Sequence, residues 1–145
     1  MPEHNQPVKD YKLYFDGASR GNPGLAGAGA VIYEGDTEKY AVTAYVGDNA
    51  TNNEAEYYGL IIGLQTCLEE RLVGTLRVYG DSQLVIRQMK GMYAVKHPRL
   101  IELHAAAREL VRKVVGGGCS VSYEHLLRGA NKRADELSNA AIDER

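Results

Sequence analysis

Four acidic residues stand where the chain turns from one element to the next. Asp16 and Asp81 close strand-like runs, while Glu56 and Asp135 fall near the start of helix-like runs. Strand ends and helix starts are where α/β folds place their chemistry. Carboxylates gathered there repel one another, and a divalent cation is the simplest agent that makes the gathering favourable. The pattern predicts metal-dependent hydrolysis.

The local surroundings sharpen each candidate. Asp16 precedes Gly17, whose missing side chain lets a substrate or metal approach the backbone. Asp81 sits between Gly80 and Ser82. Taken singly, either aspartate could be a helix cap or turn former. Glu56 has a rival in Glu54, and residues two apart on a helix point about 200° apart, so only one of them can face a shared site. Helix geometry does not choose between them. The spacing from Thr51 to Glu54 fits a capping box, which gives Glu54 a structural role. Asp135 could equally be a first-turn acid favoured by the helix dipole.

Other chemistries lack their patterns. The glycines of residues 24–29 do not have dinucleotide-binding spacing, since position 32 is Ile32. There is no phosphate-binding loop and no nucleophile elbow. His4, His97, His104 and His125 show no zinc spacing, and His104 reads as a helix-surface or boundary residue. Cys67 and Cys119 match no metal motif; two reduced, buried thiols are expected, with a disulfide left open.

The elements that must position these residues follow from periodicity. Tyr11, Leu13 and Phe15 alternate with Lys12 and Tyr14, a strand signal. A turn-rich loop is expected over Gly17–Gly24, a second strand over Ala26–Glu34, a turn at Gly35-Asp36 and a third strand over Lys39–Val46. Thr51 or Asn52 caps a helix reaching about Arg71. Thr75–Tyr79 reads as a strand and Gln83–Lys90 as a short helix. A longer helix follows Pro98, with Leu100, Leu103, Ala107, Leu110 and Val114 at helical spacing. Cys119–Leu127 is the fifth strand and Asn131–Ile142 the last helix. The order β-β-β-α-β-α-α-β-α predicts a mixed five-stranded sheet, three antiparallel strands and then two parallel, covered by helices.

Length and composition bound the rest. A chain of 145 residues with 44% hydrophobic and 25% charged residues fits one globular domain, expected over residues 11–143. Met1–Asp10 is polar, lacks a signal-peptide pattern and is expected to be a disordered lead-in, which points to a cytoplasmic protein. The net charge is −2, yet neutralising four carboxylates would leave a positive remainder. Arg87, Lys90, Lys96, His97 and Arg99 form a run with no acid between Asp81 and Glu102. That run predicts a basic face for a polyanion.

Four blocks carry a family resemblance: D-G-A-S-R-G-N-P-G at 16–24, T-N-N-E-A-E at 51–56, G-D-S-Q at 80–83 and N-K-R-A-D-E-L at 131–137. In order and spacing they resemble ribonuclease H, type 1, over about Tyr11–Ile142. The resemblance implies the ribonuclease H-like fold. It also implies endonucleolytic hydrolysis of the RNA strand of RNA/DNA hybrids with two Mg²⁺ ions, Mn²⁺ being a substitute, to leave 5′-phosphate and 3′-hydroxyl ends. By the same resemblance the metal ligands are Asp16, Glu56, Asp81 and Asp135, which selects Glu56 over Glu54. Asn22, Thr51, Asn52, Asn53, Ser82 and Gln83 become substrate contacts, with Thr51 on a DNA-strand phosphate. Hard oxygen donors suit those ions, and Asp16 is the expected bridging ligand.

The chain departs from parts of the family. It has no Trp, and residues 91–98 are too short for the basic Trp-rich insertion of some members. In place of a mobile-loop His that assists product release, the chain offers Arg128, or His125 at the strand end. The reading is of a monomer with no obligate protein partner and no membrane segment. Alternatives are a relative acting on RNA-DNA junctions or double-stranded RNA, and a catalytically dead hybrid-binding module.

Overall fold

The computed structural model describes residues 8–145. Its elements are β1 (Asp10–Arg20), β2 (Gly24–Glu34), β3 (Thr37–Ala50), α1 (Asn52–Glu69), β4 (Gly74–Gly80), α2 (Gln83–Met89), α3 (Pro98–Gly116), β5 (Cys119–His125) and α4 (Lys132–Asp143), with a 3₁₀ turn at Arg128–Ala130. Most of the expected lead-in, residues 1–7, lies outside the described residues. Its last residue, Asp10, opens β1, and the Lys9 carbonyl accepts the Thr75 N–H at 2.9 Å.

The five strands lie in the order β3-β2-β1-β4-β5. β1 pairs antiparallel with β2 and parallel with β4, and β4 pairs parallel with β5. This is the mixed sheet expected from the sequence. The meander is longer than periodicity predicts. The presumed loop after Asp16 is strand as far as Arg20, because Gly17, Ala18 and Ser19 continue the ladder with Ala28, Gly27 and Ala26. β3 extends at both ends for the same reason. β5 stops two residues short of Leu127, at His125.

Alternation decides what covers each face. Tyr11, Leu13 and Phe15 point to α1 and are buried with Leu60, Leu64, Leu76, Val78 and Val85. Each large side chain buried there is worth about 1.5–3 kcal/mol. α1 is buried along much of its length between the sheet and α3. Its Thr51 cap accepts from the Glu54 N–H, and the Glu54 carboxylate takes the Thr51 N–H at 2.9 Å, completing the capping box. On the other face, α4 rests on β2 at glycine. A Cβ at Gly29 would lie 2.5 Å from the Leu137 Cβ and 2.7 Å from the Ser138 N. Gly27 and Gly29 therefore serve helix–sheet contact, while Gly24 serves the turn, where a Cβ would lie 1.9 Å from the Arg20 carbonyl oxygen. Cys67 and Cys119 are buried free thiols. His104 is half-buried, its ring edge-on to Tyr57.

Candidate active site

The parallel ladder between β1 and β4 ends at the pair Phe15–Gly80. Asp16 and Asp81 are the next residues on these two neighbouring strands. Asp16 thus lies inside β1, and what ends there is its pairing with β4. Glu56 arrives from the second turn of α1, because α1 crosses β1 with almost no gap. A Cβ on Gly17 would sit 2.1 Å from the Ala55 carbonyl carbon. The glycine after Asp16 is needed for the close approach of the helix backbone, a reason its sequence position does not show. The contact is held by the Gly17 N–H, which donates to Glu56 Oε1 at 3.0 Å.

One carboxylate oxygen each from Asp16, Glu56 and Asp81 lie within 4.8 Å of one another. At that separation two ionised carboxylates repel by about 3.5 kcal/mol at an effective dielectric constant near 20. The proton affinities register the conflict. Burial, reinforced by the charge of Asp81 and by Asp135, pushes Asp16 up to about 7, against hydrogen bonds involving Glu56 and Gly17. Burial and then the Asp16 charge hold Glu56 well above the ordinary carboxylate range. Burial also raises Asp81, while the Arg128 charge pulls it down. Asp135, exposed on the first turn of α4, lies outside the tight trio but close enough to raise both aspartates. Glu56 Oε2 is buried and has no partner. An orphaned carboxylate oxygen beside two further carboxylates is an all-oxygen donor set that fits a hard divalent cation.

The family profile described as "Reverse transcriptase-like" matches residues 14–141. The chain is 41% identical over 134 residues to ribonuclease HI of Halobacterium salinarum, covering 90% of this chain and 63% of that protein. It is 42% identical over 130 residues to the bifunctional protein Rv2228c of Mycobacterium tuberculosis, covering 88% of this chain and 34% of that one. The crystal structure of LC11-RNase H1 in complex with RNA/DNA hybrid superposes with a TM-score of 0.85 at 39% identity, covering 93% of this chain and 98% of that one. The chain belongs to the ribonuclease H family, type 1. It spans only about a third of the mycobacterial relative and under two thirds of the halobacterial one.

In this ribonuclease H fold the expected substrate residues fall in the β1–β2 turn, at the start of α1 and just after Asp81. The Asn52 N–H donates to Asn22 Oδ1 at 2.9 Å, and Asn52 Oδ1 accepts the Ser19 N–H at 2.9 Å. These bonds tie the β1–β2 turn to the start of α1. Thr51 is engaged in its capping box, and Ser82 Oγ caps α2 through the Val85 N–H. Asn53 and Gln83 are exposed. His125, the last residue of β5, places Nε2 3.2 Å from the Asp81 carbonyl oxygen. Arg128 lies in the 3₁₀ turn just beyond, so both flank Asp81.

Two supports escaped the sequence reading. Arg99 reaches from the first turn of α3 to Glu54 Oε1 at 2.8 Å and the Asn49 carbonyl at 3.2 Å. Burial alone would raise Glu54, but Thr51 and Arg99 bring it below its ordinary value. The predicted basic run has therefore committed Arg99, and Arg87 packs against the Tyr93 ring at 5.3 Å. Asn131, buried, donates Nδ2–H to the Phe15 carbonyl at 2.8 Å, fixing the start of α4 next to Asp16. Nothing local in the sequence signals the Arg99 contact. Asn131 does fall in the 131–137 block.

Proposed function

We propose that this protein is an endonuclease that hydrolyses the RNA strand of RNA/DNA hybrids with two Mg²⁺ ions, leaving 5′-phosphate and 3′-hydroxyl ends. The observation that carries the reading is the trio of Asp16, Glu56 and Asp81 around an unpartnered Glu56 Oε2. The names of the relatives support it, since one is a ribonuclease HI and another a ribonuclease H1 in complex with RNA/DNA hybrid. Asp16, Glu56, Asp81 and Asp135 would hold the ions, which when bound supply charge neutralisation and lower the pKa of a coordinated water. Mn²⁺ offers the same hard acceptor.

The chain's own residues do the positioning. The Gly17 N–H fixes one Glu56 oxygen and leaves the other for the cation. Asn22, Asn52, Asn53, Ser82 and Gln83 offer neutral donors and acceptors to minor-groove 2′-hydroxyls, which mark RNA without reading its sequence. Thr51 would meet a DNA-strand phosphate. Arg128 or His125, beside Asp81, would assist product release. All four acids come from one chain, so a monomer with no obligate partner suffices. Two buried free thiols suit a reducing cytoplasm.

The test is cleavage of an end-labelled RNA/DNA hybrid with Mg²⁺ and with EDTA, beside all-DNA and all-RNA duplexes. RNA-strand products bearing 5′-phosphates and dependent on Mg²⁺ are expected, with duplex DNA uncut. Equal cutting of all-DNA duplex, or cutting in EDTA, would overturn the reading.

A further inference from the structure

α4 covers β2, β1 and β3 on its face of the sheet and leaves the β4–β5 side open. On that face Lys12 and Tyr14 alternate with buried Leu13 and Phe15. Tyr14 stacks on Tyr79 with centroids 4.9 Å apart at 15°, and meets Tyr33 at 5.7 Å and 88°. Between these rings and the start of α4 lies a cavity of about 350 Å³, bounded by Lys12, Tyr14, Tyr33, Asp36, Asn131 and Lys132 among others. Its size falls within the range of small-molecule sites. Among the described residues Lys12 and Lys132 enter no ion pair, whereas the neighbouring Arg133 is held by Glu38 at 3.0 Å. Asp36 is the one acid on the wall. The wall thus carries Lys12, Lys132 and Arg133 against Asp36, with Glu38 and Glu136 acting on Tyr33 and Glu124 on Tyr14 from outside it.

Two perpendicular aromatic walls beside two free ammonium groups match one ligand chemistry. The rings offer stacking for a base, and the lysines offer point charges for a phosphate. We propose that this cavity binds a nucleoside 5′-phosphate, with the base against Tyr14 and Tyr33 and the phosphate on Lys12 and Lys132. The unit can be a free nucleotide or the 5′ end of an RNA strand. Asn131 joins the cavity to the carboxylate cluster, since it lines the former and bonds the Phe15 carbonyl beside Asp16. A 5′-phosphate end is also what the proposed hydrolysis leaves. That link rests on the hydrolase reading, while the binding site does not.

The experiment is an NMR amide titration of the isotope-labelled full chain with AMP, adenosine and inorganic phosphate. EDTA keeps metal from the carboxylates, which then repel anions. AMP is expected to give saturable shifts at Lys12, Tyr33 and Lys132, with adenosine and phosphate each roughly tenfold weaker. Lys12→Gln/Lys132→Gln and, separately, Tyr33→Leu should each weaken AMP about tenfold, the dispersed spectrum of each variant showing that it is folded. A 5′-phosphorylated tetranucleotide binding more tightly than AMP assigns the site to strand ends; AMP binding more tightly assigns it to free nucleotides. The proposal is overturned if AMP gives no saturable shift at these residues, if phosphate alone binds as tightly, or if both variants bind like the wild type. AMP binding by a chain that leaves hybrids uncut would remove the hydrolase reading and keep this one.

Discussion

Replacing Asp16 with Asn should make the metal-free protein more stable while abolishing its chemistry. In the folded chain burial and neighbouring carboxylates raise Asp16 from 3.8 to about 7. A raised carboxyl binds its proton more tightly folded than unfolded. Its stabilising contribution is full below the unfolded value near 4 and is lost as pH rises through about 7. At pH 8 the loss approaches 4 kcal/mol, taking 1.36 kcal/mol per pKa unit. The amide keeps the shape and removes the charge but weakens hydrogen bonds around Glu56 and Gly17, so a net gain of about 2 kcal/mol is expected. For a domain of this size that is a melting temperature about 6 °C higher in EDTA at pH 8, turning to a few degrees lower at pH 4, where the charge is already gone and only the weakened hydrogen bonds count. Mg²⁺ should raise the melting temperature of the wild type at pH 8 by mass action and leave the variant almost unmoved. The assay is a thermal melt at pH 4, 6 and 8, with EDTA and with Mg²⁺, beside hybrid cleavage. A variant that melts below the wild type at pH 8 in EDTA, yet responds to Mg²⁺ equally, would refute the placing of Asp16 at a cation site.

The two glutamates should separate cleanly. Glu56→Gln should lose nearly all cleavage, whereas Glu54→Gln, which loosens Arg99 and the α1 cap, should cut at near-normal rates and lose roughly 1–2 kcal/mol; initial rates and urea melts of both variants decide it. Gly17→Ala forces a Cβ onto the α1 backbone and should cost more than about 3 kcal/mol, seen as a large fall in the urea midpoint. Lys90→Ala/Lys96→Ala removes the two lysines of the basic run and should raise the Michaelis constant. It should also lower the salt slope of hybrid binding by about 0.7–0.9 per lost phosphate contact, and an unchanged slope would mean that the hybrid is gripped elsewhere.

The sequence by itself determined the order and type of the elements. Alternation in β1, the Thr51–Glu54 box and the spacing of Leu100, Ala107 and Val114 are local signals with local causes, and each appears in the fold. The four signature blocks, by resemblance, name four acids, and three of them, Asp16, Glu56 and Asp81, meet in the fold. Tertiary structure decided what local rules cannot encode. β1 outran its predicted end because β2 supplies hydrogen-bond partners for Gly17–Ser19, and pairing is a property of two segments. Gly27 and Gly29, unassigned by motif, are the bed of α4. Helix geometry left Glu54 and Glu56 open because both lie near the start of one helix. Only the crossing of α1 over Gly17 points Glu56 at Asp16 and gives Glu54 to Arg99. The conflict at this cluster, three carboxylates within 4.8 Å, exists only once distant residues are packed together, because repulsion depends on distance in space and not along the chain.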